Sequence, residues 1–219
     1  MTKMRKITAL ILQKRNRHRV NVYLDGEYAF GLARIVAAWL EVGQELSDEK
    51  IAQLLAEDER EVAYQRALRL IQHRPRSESE IRQVLRRHAI PEASTEEVIE
   101  RLKQSGLIND AEFAQAWVEN RADLRPRSRR ALAYELSRRG VDAQVIEQSL
   151  TTIDDDLMAY QAALRPARKY KELDWNDFRQ KMYRYLAQRG FHYEASVQAI
   201  TRVWQEIHGE NSIPEEEGF

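Results

Sequence analysis

The side chain best placed to do chemistry in this sequence is arginine, and the chemistry is the holding of oxyanions. A guanidinium forks onto a carboxylate or a phosphate with two parallel hydrogen bonds. Arg74, Arg76, Arg125, Arg127, Arg129 and Arg130 cluster around two copies of one string, Arg74-Pro75-Arg76-Ser77 and Arg125-Pro126-Arg127-Ser128, set 51 positions apart. Ten residues past each proline stands a leucine, Leu85 or Leu136, followed by a basic stretch that holds Arg86 and Arg87, then Arg138 and Arg139. A third leucine, Leu186, follows 50 positions later and begins Leu186-Ala187-Gln188-Arg189-Gly190-Phe191. Lys169 and Lys171 add a basic stretch ahead of it. These twelve residues are the candidate binding set. Each one read singly also fits a solvated, ion-paired surface. The repetition fits shared use of one surface, or plain descent from a duplicated unit.

Other chemistries find little support. The histidines His18, His73, His88, His192 and His208 have no metal-ligand spacing. His88 falls at an inward helical position and reads as structural. Asp154-Asp155-Asp156 reads as a helix N-terminus, where acids offset the dipole. The glycines are too scattered for a phosphate loop, and no nucleophile elbow is present. Trp39, Trp117 and Trp204 read as core, while Trp175, between Asp174 and Asn176, is expected to be more exposed. No enzyme and no cofactor are expected.

The elements that would carry these arginines come in threes. Self-similarity at a fixed period signals a repeated structural unit. Each unit reads as three helices. Ala63, Ala67, Leu70 and Ile71 make the first stripe. The residue before a proline is pushed out of the α region, so the Arg-Pro pairs end helices. Ser77 with Glu80 and Ser94 with Glu97 have capping-box spacing. Leu132 and Leu136 repeat Ile81 and Leu85, and Asp142 opens a further helix. In the third unit Arg165-Pro166 is read as the helix end, with about ten extra residues after it, and Asp174 as the next cap.

Ahead of the repeats lies a different pattern. Val20, Val22 and Leu24 alternate with polar residues, and Asp25-Gly26 is a hairpin turn signal. With residues 7–13 this predicts a three-stranded meander, then helices over 33–40 and 47–56. The basic loop of Lys14, Arg15, Arg17, His18 and Arg19 fits phosphate contact or plain solvation. The expected fold is therefore mainly α. It is an elongated array of three three-helix repeats (59–109, 110–153, 154–208) behind an N-terminal segment (1–58), with an acidic disordered tail (209–219).

Composition agrees with a soluble, cytoplasmic protein. Lys plus Arg and Asp plus Glu both total 35, there is no cysteine, and no stretch is apolar enough to span a membrane. Zero net charge argues against indiscriminate coating of nucleic acid. The charge is uneven, however: seven arginines lie from Arg121 to Arg139 against only Asp123 and Glu135.

The runs Arg74-Pro75-Arg76-Ser77-Glu78-Ser79-Glu80-Ile81-Arg82, Gly106-Leu107-Ile108-Asn109-Asp110-Ala111-Glu112-Phe113-Ala114 and Arg138-Arg139-Gly140-Val141 resemble the RecX family of bacterial recombination regulators. The resemblance covers about residues 60–208, and the N-terminal segment looks like the extension of longer members. It implies tandem three-helix repeats and no catalysis. It also implies a monomer that binds the RecA recombinase along the groove of its DNA filament, with weak or filament-associated contact to single- and double-stranded DNA. Filament growth, ATPase and strand exchange would fall. The alternative is a direct DNA binder with helix-turn-helix-like repeats that needs no recombinase.

Overall fold

A computed structural model describes residues 4–209. The chain divides into two compact units. One takes the residues up to Arg76 together with Glu80–Ile108, and the other takes Ser77–Ser79 together with the chain from Asn109 onward.

The first unit opens with an antiparallel sheet of β1 (Met4–Leu12), β2 (Arg19–Leu24), β3 (Glu27–Ala33) and β4 (Glu45–Ser47), in the order β3-β2-β1-β4. Val20, Val22 and Leu24 point into its core, as the alternation predicts. Asp25 and Gly26 both take positive φ, and the Asp25 carboxylate accepts the Lys6 N–H at 3.0 Å, which ties the hairpin to β1. The fourth strand was not expected. It is three residues long and pairs with β1 from Met4 to Lys6. Its one inward residue, Leu46, gives no period to read.

Two further expectations for this segment need correction. The helix over 33–40 is only a 3-10 turn, Val36–Trp39. Ala33 is taken into the sheet opposite Arg19, and Leu40 is already extended, so only residues 34–39 remain between them, and four of these make the turn. The second helix does not stop near 56. It is the first half of α1 (Asp48–His73), 26 residues long. The 58/59 boundary lies inside it. Ser47 caps its start, and no breaker intervenes before Pro75. Ile51 and Leu54 pack into the sheet's core, while Ala63, Tyr64 and Ala67 pack with α2 (Glu78–Arg87) and α3 (Glu92–Gln104). Arg74 is extended as its place before proline requires. α3 begins at Glu92, ahead of the expected Ser94 cap, and the Ser94 hydroxyl bonds Glu59 instead. His88 lies beyond the end of α2 and is exposed, not inward.

The second unit holds two trios. The first is α4 (Asp110–Leu124), α5 (Arg129–Ser137) and α6 (Ala143–Ser149), closed around Phe113, Val118, Leu132, Leu136 and Ile146. The second is α7 (Asp155–Lys169), α8 (Trp175–Ala187) and α9 (Tyr193–His208). Ala159, Ala163, Ala195 and Ala199 belong to its core along with Phe178, Met182 and Leu186. Trp175 is buried there, stacked on Phe178, contrary to the exposure expected of it. Trp39 is the reverse case, 89% exposed.

Arg165-Pro166 does not end α7. Pro166 is buried inside the helix, which continues to Lys169. α4 and α7 are both 15 residues long, so the position matching Arg125 is Tyr170. The period survives by compensation. α6 has seven residues where α3 has 13, and α8 has 13 where α5 has nine. The acidic tail expected to be disordered lies outside the described residues.

The turns after Leu85, Leu136 and Leu186 all need a left-handed residue: Ala89 (φ 56°), Gly140 (φ 72°) and Gly190 (φ 88°). Only the first carries a Cβ, and left-handed backbone costs an L-residue about 1–2 kcal/mol. Ala89 is exposed, so Ala89→Gly should stabilise the protein by about 1 kcal/mol, read as a raised midpoint of urea unfolding.

Candidate partner-binding surface

The second unit shows what the Arg-Pro-Arg-Ser string builds. Arg125 is extended ahead of Pro126, and Ser128 caps α5, its hydroxyl accepting from the Ala131 N–H at 3.1 Å. The first N–H groups of a helix have no partner within it. Here the third trio supplies them. The Ser128 N–H donates to the Arg189 carbonyl at 3.1 Å, and the Arg129 N–H donates to the Asp155 carboxylate at 2.6 Å. The approach is close enough that a Cβ on Gly190 would lie 2.6 Å from Ser128 Oγ.

The other copy of the string repeats the joint. Ser77 Oγ donates to the Arg139 carbonyl at 2.6 Å, and the Glu78 N–H donates to the Asp110 carboxylate at 2.8 Å. A Cβ on Gly140 would lie 2.2 Å from Ser79 Oγ. The serines are buried, so they are structural. Asp155 is part of this joint, and Asp154 caps α7, as the reading of the three aspartates as a helix start expects. Among the described residues no group of three or more acids and histidines is placed to hold a metal.

The candidate cations differ in what they already hold. In the first unit Arg74 forks onto Glu80 at 2.8 and 3.0 Å, and Arg76 reaches the same carboxylate at 3.9 Å. Arg86 lies 3.7 Å from Glu92, and Arg87 bonds the Gln83 carbonyl. Arg82 behaves alike: its guanidinium bonds Glu96 and holds that carboxyl below the usual carboxylate range. In the second unit Arg127 and Arg121 each reach Glu135 at 2.9 Å, and Trp117 Nε1 donates to the same carboxylate. Arg139 stacks 3.8 Å from the centre of the Trp117 ring. Lys171 pairs with Glu172, and Lys169 lies near the Tyr170 ring.

Arg125, Arg129 and Arg130 differ. All three are exposed, and among the described residues their side chains make no hydrogen bond or ion pair. Tyr134, 64% exposed, stands one helical turn from Arg130 on one side and Arg138 on the other, with the Arg138 guanidinium 5.9 Å from its ring centre. A shallow groove between α5 and α6 runs beside them, with Ala133, Val141 and Ile146 in its lining and Glu147 and Asp155 as its acids. Sequence reasoning missed Tyr134. The signal was there: Leu132 and Leu136 fix the inward side of α5, so Tyr134 must face out. It also missed Glu135, which settles which arginines are neutralised. The twelve candidates thus divide into ones that are ion-paired, hydrogen-bonded or close to an aromatic ring and an exposed set, Arg125, Arg129 and Arg130, around the start of α5.

The geometry has counterparts among known proteins. Four family models match in chain order: the Regulatory protein RecX N-terminal domain over residues 5–47, then the first, second and third RecX three-helix domains over 63–102, 109–150 and 154–200. A regulatory protein RecX of Clostridium beijerinckii is 31% identical over 91% of this chain and 96% of its own. The chain belongs to the RecX family. A regulatory protein RecX of Bacillus pumilus is also 31% identical, over 97% of this chain and 82% of its own. A crystal structure of regulatory protein RecX superposes with a TM-score of 0.67 at 26% identity, covering 92% of this chain and 99% of that one. The RecX three-helix domains coincide with the trios seen here, and the N-terminal domain coincides with the sheet. No helix among the described residues is long and apolar enough to cross a membrane.

Glu135 is the acceptor on which Arg121, Arg127 and Trp117 converge. Glu135→Ala leaves three part-buried donors without it, so the protein should lose about 2 kcal/mol of stability, measured by chemical unfolding.

Proposed function

We propose that this protein regulates a RecA-type recombinase by binding its DNA filament through the α5 surface of the second unit. Binding there limits filament growth and lowers ATPase and strand-exchange activity. Family membership supports the general reading. The observation that carries the choice of surface is the set Arg125, Arg129 and Arg130, exposed and without side-chain partners beside exposed Tyr134.

Arginine and tyrosine are the residues that most often anchor interfaces. Guanidinium groups with no internal partner give up no existing ion pair on binding a carboxylate or phosphate. Those at Glu80 and Glu135 would have to break one first. The start of α5 is also held in place, because Arg189 and Asp155 fix its first N–H groups. A preorganised surface loses less entropy on association.

Arg125, Arg129 and Arg130 changed together to glutamate should abolish inhibition of recombinase ATPase while the helical circular dichroism stays as in the parent. Undiminished inhibition removes the surface from the proposal. The same arginines also suit naked DNA. The filament reading expects weak binding to DNA alone, and tight binding with a steep fall as salt rises would favour a direct DNA binder.

A further inference from the structure

The α5 surface leaves one exposed feature of the first unit unexplained. Trp39 ends the 3-10 turn and is 89% exposed, while its neighbours Ala37 and Leu40 are buried. Ala38, next to it, lines a groove of about 780 Å³ with His18, Arg34, Gln65, Arg69 and Gln72. Ile35, 61% exposed, lines that groove and also a second one that Trp39 borders. The tryptophan therefore stands at the rim of the second groove, which meets the first at Ile35.

The charged residues lining the first groove are mainly cations. Arg34 and His18 have no ion pair among the described residues, and Arg69 bonds only the Gln65 carbonyl. Lys14, Arg15 and Arg17 are exposed in the β1–β2 loop that also supplies His18, and they too lack ion pairs among the described residues. The nearby carboxylates are neutralised. Asp58 accepts from Arg19 at 2.9 Å and from the Ala33 N–H, and Glu61 accepts from Gln65 and Arg101. In the second groove Glu97 is paired with Arg60, and Glu57 is the remaining acid. The Arg19–Asp58 pair joins the sheet to α1, so the groove's walls are fixed.

We infer that this face binds single-stranded nucleic acid, with phosphates along Arg34, Arg69 and the β1–β2 loop and a base stacked on Trp39. A cationic track beside an exposed aromatic ring is what a flexible polyanion with free base faces can use. A duplex offers the phosphates but keeps its base faces covered. The inference does not depend on the α5 surface.

The test is a fluorescence titration with an oligothymidylate of about 15 nucleotides, a length within the span such sites cover. The full chain carries Arg125→Glu, Arg129→Glu and Arg130→Glu, so that the free arginines of the α5 surface do not contribute. Binding should quench tryptophan emission. Trp39→Ala should weaken binding about 10-fold, and Trp39→Phe should keep most of the affinity while losing most of the quench. Arg34→Glu with Arg69→Glu should weaken binding roughly 100-fold and flatten the salt dependence by about 1.4 in log–log slope. The inference is overturned by no binding in the parent, by parental affinity in Trp39→Ala or in the double arginine variant, or by a duplex competing as well as the single strand. Quenching by recombinase protein but not by the oligonucleotide also overturns it, in favour of a protein partner. ATPase inhibition is not read in this experiment, so its failure leaves the filament proposal standing.

Discussion

The second unit depends on one exchange of hydrogen bonds. A helix start in one trio is completed by the backbone carbonyl and the carboxylate of the trio that follows it. Ser128 and Arg129 give their N–H groups to Arg189 and Asp155. The same positions in the other copy, Ser77 and Glu78, bond the Arg139 carbonyl and Asp110. Buried backbone donors must find acceptors, so the second and third trios fit in one register. The glycines follow from it, since a Cβ on Gly140 or Gly190 would enter the serine side chains. Ala89, whose turn is exposed, escapes that demand.

The joint also sorts the arginines. The serine of each string turns inward, while the arginines around it stay outside. What happens to them then depends on local carboxylates. Glu80 takes Arg74, and Glu135 takes Arg127 and Arg121. Arg125, Arg129 and Arg130 have no such acid. The repeated string is thus a structural device that each copy loads differently, and only the second copy presents free guanidinium groups beside an exposed tyrosine. Duplication supplied the scaffold, and local substitution supplied the difference.

Much of this was legible in the sequence because its cause is local. The β2 alternation, the Asp25-Gly26 turn, the breaks at Pro75 and Pro126, and the caps at Ser128, Asp142, Asp154 and Asp174 all depend on neighbours a few residues away. The failures have causes further off. Nothing near Glu45–Ser47 marks it as a strand, because its partner is β1. Ala33 leaves the expected helix because Arg19 and Asp58 draw it into the sheet. Arg165-Pro166 copies a dipeptide without the Arg-Ser that follows it elsewhere, and the buried face of α7 holds the helix through it. Among the twelve candidate cations, type and spacing could not separate paired from unpaired. That depends on Glu80 and Glu135, which only the fold brings to them.

The unbroken course of α1 has a thermodynamic consequence. Its first half completes the sheet's core, and its second half completes the first trio's, with the Arg19–Asp58 pair near the middle. Melting of either core must fray a rod common to both, so the two share one cooperative transition. Occupancy at the strand end would therefore slow amide exchange around Ala63 and Ala67, by linkage along a single helix.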